Sequence, residues 1–215
     1  LDIIDFFIAP YRSYSQVDIW IEATAVLFGL LSVYFARRVK IAVYPTGIIS
    51  TALYIYICLN AKLYADMGIN AYFMVMSIYG WYIWSEMKPK DTVERPILRL
   101  RRDAYAPTLL ALIGIFGVLV FVLVRFTDSD VPYVDAFTTS LFVVGMYFMA
   151  KKIMEHWWLW IVGDLISVPL YMYKGLGLTS FQYAVFLIIA IQGLREWRLT
   201  ILNQPQGPQG PMSQN

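Results

Sequence analysis

Trp157, Trp160, Asp164 and Ser167 follow 3-4-3 spacing, which puts all four on one face of a helix. Two indoles and a carboxylate in one stripe suit a flat cationic ring. The indoles supply stacking and cation–π attraction, and the carboxylate supplies a counter-charge or accepts a hydrogen bond. The surrounding run is apolar, and a charge at membrane depth is costly enough to make Asp164 a functional candidate by default. The same residues also suit an interfacial aromatic belt at Trp157 and Trp158, with Asp164 paired to a neighbouring helix. A second stripe, Asn70, Phe73, Ser77 and Trp81, has 3-4-4 spacing. A third segment presents Gly47, Ser50, Thr51 and Tyr54, and a fourth presents Gln182 and Gln192, with Glu196 near its inner end. One amide or hydroxyl of this kind glues helices together. Their recurrence at middle depth in both halves of the chain favours a polar cavity. The candidate substrate-binding set is Ser50, Tyr54, Asn70, Phe73, Ser77, Trp157, Trp160, Asp164 and Gln192.

Other reactive residues point to less. Cys58 is the one cysteine and lies in an apolar run, where packing is its ordinary role; no disulfide or cysteine-based zinc site forms from it within one chain. His156 is the one histidine, so no His-rich metal site exists. Glu155 and His156 are expected at the water interface on the inner side. Glu22 is either a gate or half of a structural ion pair. Pro45 and Pro169 are candidate hinges in the second and sixth spans. The sequence has no Walker motif, glycine-rich phosphate loop, nucleophile elbow or zinc-protease motif. Neither ATP-driven transport nor the common catalytic chemistries find support, and no enzyme activity, cofactor or metal is expected.

The elements that must position these residues are membrane spans. The 215 residues are 59% hydrophobic and only 15% charged, with a mean hydropathy of +0.58. A soluble domain usually carries about 25% charged residues. The runs are long and do not alternate with period two, which predicts helices and not barrel strands. Seven spans are expected, at 18–36, 41–60, 65–84, 106–126, 134–150, 153–173 and 178–197, each long enough to cross about 30 Å of hydrocarbon. Residues 1–17 are expected to form an interfacial segment, and the Pro-, Gly- and Gln-rich tail over 199–215 to be disordered. The N-terminus lacks the basic and small-residue features of a signal peptide, so the first span is expected to be retained.

Charge sets the orientation. Thirteen of the 17 Lys and Arg fall on one side: Arg37, Arg38, Lys40, Lys88, Lys90, Arg95, Arg99, Arg101, Arg102, Lys151, Lys152, Arg195 and Arg198. The other side has Arg12, Lys62, Arg125 and Lys174. The first side is therefore cytoplasmic, with the N-terminus outside and the C-terminus inside. These charges are scattered, so nucleic-acid binding has no support. The chain also repeats. Ala36-Arg37-Arg38 matches Ala150-Lys151-Lys152, and Leu63, Gly80 and Trp84 match Leu176, Gly193 and Trp197 at about one constant offset. Two three-helix units, 18–84 and 134–198, are thus joined by a loop and linker helix over 85–133. An odd linker lets both units run in the same direction, a transporter plan that puts the substrate site between the repeats.

The string Tyr79-Gly80-Trp81-Tyr82-Ile83-Trp84 resembles the PnuC family of bacterial vitamin transporters. So does Trp157-x-x-Trp160-x-x-x-Asp164 followed by Tyr171-x-x-Lys174-Gly175. The resemblance covers nearly all of 18–198. It implies an all-α integral membrane protein of the bacterial inner membrane, with seven helices in a 3+1+3 parallel repeat, a fold similar to SWEET sugar transporters, and commonly a homotrimer. It implies energy-independent uptake of a vitamin through a site formed by the Trp pair and polar groups of spans 2, 3 and 6. Against the family pattern that goes with nicotinamide riboside, Asp164 stands where Asn is typical. Ser50 replaces an Asn, Asn70 a Gln and Ser77 a further Asn. This set is similar to the PnuT branch, associated with thiamine, and thiamine is the favoured substrate. Nicotinamide riboside is the alternative, followed by another vitamin such as riboflavin. Two other classes remain as alternatives: a vitamin-binding sensor, and an enzyme using Glu155, His156 and Asp164.

Overall fold

The computed structural model describes residues 15–60, 64–86, 97–175 and 177–203. The expectations for residues 1–14, Lys62, Leu63, Lys88, Lys90, Arg95, Leu176 and the tail beyond 203 lie outside the described residues. Among the described residues seven α-helices follow one another: α1 (Gln16–Arg37), α2 (Val43–Asn60), α3 (Tyr64–Glu86), α4 (Tyr105–Phe126), α5 (Pro132–Ala150), α6 (His156–Tyr173) and α7 (Gly177–Asn203). A 3-10 turn, Arg102–Ala104, leads into α4. Each expected span falls on one helix. α7 is the main departure, because it runs on through the first five residues assigned to the tail; the first helix breaker after Trp197 is Pro205.

Local chemistry explains the ends. Ser15 caps α1 by accepting the Asp18 N–H at 3.2 Å. Pro132 opens α5 at a first-turn position, where its missing N–H costs nothing. Pro45 stands at the third residue of α2, again where no helical donor is needed, so it breaks no bond there and the hinge expectation loses its basis. Pro169 does lie inside α6. Gly175 follows the C-cap of α6 with φ +74°, a left-handed conformation that glycine adopts without steric cost.

Among the described residues, five helices are long and apolar enough to cross a membrane by length and composition: α1, α2, α4 with its leading turn, α5 and α7. α3 and α6 fall short of that measure: α3 carries Asp66, Asn70 and many Tyr and Trp residues, and α6 carries His156 and Asp164. These residues lower their mean hydropathy. Among the described residues the only β pairing is an isolated parallel bridge between Leu98 and Ile153.

The helices pack as two sequential groups. α1 packs on α2 and α2 on α3; α5 packs on α6 and α6 on α7. Across the groups, α1 meets α7 and α3 meets α5, while α4 packs on α5. Two reciprocal bonds tie the groups at one end. The Trp84 indole donates to the Ala150 carbonyl at 3.2 Å, and the Trp197 indole donates to the Ala36 carbonyl at 3.0 Å. The C-terminal ends of α1, α3, α5 and α7 therefore meet on the same face.

The ends of α1 and α5 repeat in backbone detail. Lys40 N–H donates to Phe35 O and Val39 N–H to Ala36 O; Ile153 N–H donates to Phe148 O and Lys152 N–H to Met149 O. Each is a Schellman closure, with Val39 (φ 55°) and Lys152 (φ 56°) as its left-handed residue. This places Tyr34-Phe35 opposite Tyr147-Phe148, one residue out of step with the sequence pairing of Ala36 with Ala150.

Candidate functional site

A cavity of about 190 Å³ lies between the two groups of helices. All six of their helices contribute: Gly29 and Ser32 from α1; Gly47, Ser50 and Thr51 from α2; Phe73 and Ser77 from α3. Phe142, Met146 and Met149 come from α5, Trp160 and Asp164 from α6, and Tyr183 and Phe186 from α7. The wall is mostly apolar and aromatic with a few converging polar groups, the usual makeup of a small-molecule site. Phe142 stacks on Tyr183 with centroids 5.9 Å apart, and Tyr171 stacks on Tyr183 at 5.0 Å. Close approach makes the room. A Cβ at Gly47 would stand 3.1 Å from Ser32 Oγ and 3.2 Å from Ser77 Oγ, and one at Gly163 would strike the Phe142 ring at 2.6 Å.

Asp164 is the electrostatic centre of this wall. It is 4% exposed, and among the described residues its carboxylate has no hydrogen-bond or ion-pair partner. Burying a charge without a partner costs a protein dearly, and a cation or a hydrogen-bond donor in the cavity would offset that cost.

Of the nine candidate residues, Ser50, Phe73, Ser77, Trp160 and Asp164 line the cavity. The other four are placed elsewhere. Trp157 is fully buried one layer behind, packed edge-on against Trp160 and Trp197 at 5.5 and 5.7 Å. Gln192 accepts a short hydrogen bond from the Arg37 guanidinium, which also pairs with Glu196 at 2.6 Å. Tyr54 donates to Gln182 Oε1 at 3.4 Å. Asn70 turns back to the Asp66 carbonyl on its own helix at 2.9 Å. The α3 stripe also ends early, since Trp81 is 43% exposed. Helical periodicity fixes direction but not depth, and these side chains lie at depths where other partners hold them.

The water interface expected for Glu155 and His156 does not hold for His156, whereas Glu155 keeps partial exposure. His156 is fully buried between Trp157, Trp160 and Trp197, with ring centroids 4.4, 5.1 and 4.7 Å away, and its Nδ1 lies 2.8 Å from Ile153 O. Glu155 accepts the Leu100 N–H at 2.8 Å, anchoring the segment before α4. Together with Tyr44 and Trp84, whose rings meet edge-to-face at 5.2 Å, these aromatics pack the end of the bundle where the reciprocal indole bonds lie. Trp158 does occupy an outward position, with Arg198 5.3 Å above its ring.

Sequence reasoning missed Ser32, Tyr183 and Phe186. Phe186 had a signal: it stands to Phe73 at the offset that relates Trp84 to Trp197.

Among the described residues, six helices surround a polar-aromatic cavity and a seventh, α4, packs outside on α5, an arrangement suited to a membrane solute carrier. A family model described as nicotinamide mononucleotide transporter matches residues 19–199, and the chain belongs to that family. The "Nicotinamide riboside transporter PnuC" of Escherichia coli is 27% identical over 202 residues, covering 83% of this chain and 84% of that one. The "Riboflavin/roseoflavin transporter RibM" of Streptomyces davaonensis is 26% identical over 189 residues, covering 86% and 88%. A solved structure, "Crystal structure of the Vitamin B3 transporter PnuC", superposes with a TM-score of 0.70 at 25% identity, covering 87% of this chain and 84% of that one. The chain is thus a vitamin-type transporter of the PnuC family with several apolar helices suited to a membrane.

Proposed function

We propose that this protein carries a flat, cationic, water-soluble vitamin across the bacterial inner membrane by facilitated diffusion, without enzymatic conversion. The observation that carries the reading is the partnerless Asp164 carboxylate beside the Trp160 indole in a cavity shared by both helix groups. Nicotinamide riboside takes first place among substrates, because that is the solute named for the E. coli relative and it is a cation. This reverses the order expected from the sequence. Thiamine is the second reading, favoured by Asp164 itself: a carboxylate matches both a permanent thiazolium charge and an aminopyrimidine donor.

The 3+1+3 parallel repeat, with α4 as linker, supports alternating access by rocking one three-helix unit against the other. The N-out, C-in orientation and a homotrimeric assembly belong to the same proposal. The positive-inside bias supports the first, and the resemblance supports the second. Proteoliposomes loaded with buffer alone test the function. Labelled nicotinamide riboside or thiamine should equilibrate across the membrane without ATP or an ion gradient. Tight binding with no flux would instead identify a sensor, and recovery of a chemically altered vitamin would identify an enzyme.

A further inference from the structure

A serine or threonine hydroxyl ordinarily serves as donor or acceptor, whichever its ligand needs. On the α1–α2 side of the cavity that freedom is gone. Ser32 donates its proton to the Val43 carbonyl at 2.8 Å, and Ser50 donates to the Ala25 carbonyl at 2.8 Å. Thr51 donates to the Gly47 carbonyl at 2.9 Å. All three line the cavity, so each offers it only oxygen lone pairs. The two serine bonds cross between helices in opposite directions, from α1 to α2 and from α2 to α1. Turning either hydroxyl to donate into the cavity breaks a contact that holds the two helices together. Asp164 also only accepts when ionised. The lining groups whose protons stay available are Ser77 and Trp160, from α3 and α6, since the Tyr183 hydroxyl on α7 is hydrogen-bonded to Tyr171.

We propose that Ser32 and Ser50 are specificity-determining residues that fix the α1–α2 wall as an acceptor surface, so that the site selects a cationic heterocycle with an amino or hydroxyl donor on its edge. A near-isostere with a carbonyl or carboxylate oxygen at that edge is rejected, because two oxygens then face each other with no proton between them. The inference rests on the transport reading and refines its substrate class. It also reaches further than Asp164 alone: a lone carboxylate selects for charge, whereas this wall discriminates between ligands of equal charge.

The test is titration calorimetry on the purified full chain with matched pairs. One pair is thiamine and its 4-oxo analogue, in which a carbonyl replaces the pyrimidine amino group and the thiazolium charge is kept. The other is nicotinamide riboside and its carboxylate analogue, where repulsion from Asp164 adds to the effect, making the first pair the cleaner one. For each parent that binds, the swap should weaken binding by about 10-fold or more. Ser50→Ala and Ser32→Ala should weaken the parent and bring the analogue-to-parent ratio toward unity, while Ser50→Thr should preserve the ratio. Melting temperature reports any loss of folding separately. A parent that binds with an unchanged affinity on swapping, or an unchanged ratio in both alanine variants, overturns the inference and leaves the transport reading standing. No binding by either parent overturns both.

Discussion

Replacing Asp164 by Asn keeps the size and shape of the side chain and removes its charge. The structure gives this substitution two opposite consequences. In the ligand-free protein Asp164 is 4% exposed and has no partner among the described residues, so Asn removes the cost of ionising a buried acid. A gain of about 1 kcal/mol would raise the melting temperature by about 2–4 °C in a chain of this size. In the complex the substitution removes the charged half of a desolvated contact, worth about 1.5–3 kcal/mol. That corresponds to about a 10- to 150-fold rise in Kd. Differential scanning fluorimetry with and without vitamin reads the first effect, and titration calorimetry reads the second. Ser167→Ala is the control. Ser167 shares the helix face and is buried, but its hydroxyl has no partner among the described residues and it does not line the cavity, so its loss should leave affinity unchanged. Wild-type affinity in Asp164→Asn, or equal losses in the two variants, would remove Asp164 from the site.

Three further outcomes follow from the packing. Gly193→Ala drives a Cβ to 2.5 Å from the Trp157 indole, and Gly80→Ala drives one to 2.6 Å from Tyr44 Cζ; each should cost about 1–3 kcal/mol of stability, read as a lowered melting temperature, and unchanged melting in both would contradict the packing. Trp84→Phe and Trp197→Phe each delete one indole donor of the reciprocal pair. Each should lose about 1 kcal/mol, and a double variant that loses no more than either single one would refute two independent bonds. Lys174→Met leaves the part-buried Asp135 carboxylate without its ammonium partner at 2.6 Å, which should lower the melting temperature more at neutral pH than Lys174→Met combined with Asp135→Asn. Equal melting of the two variants would show that the pair contributes nothing.

Much of this protein is written in one dimension. The seven helices of the described residues follow from the lengths of apolar runs, because a bilayer demands about 20 residues per crossing and satisfied backbone bonds within each. The inward face of α6 follows from helical periodicity, which alone puts Trp160, Asp164 and Ser167 in line. Trp84 and Trp197 match in the sequence, and in the structure each indole donates to a backbone carbonyl at a helix end of the other group. Depth and partnership were not legible. Gln192 and Trp160 both read as mid-membrane polar or aromatic candidates. Only the approach of α1 to α7 gives Gln192 to Arg37, and only the cavity leaves Trp160 a free face. His156 read as an interfacial residue because it opens its helix, yet three indoles from α6 and α7 close over it. Nor does the type Ser at position 50 say whether its proton is available. That is decided by Ala25, distant in sequence and 2.8 Å away in space. Periodicity constrains direction along one helix, whereas the partner of a side chain is set by which other helices come within reach.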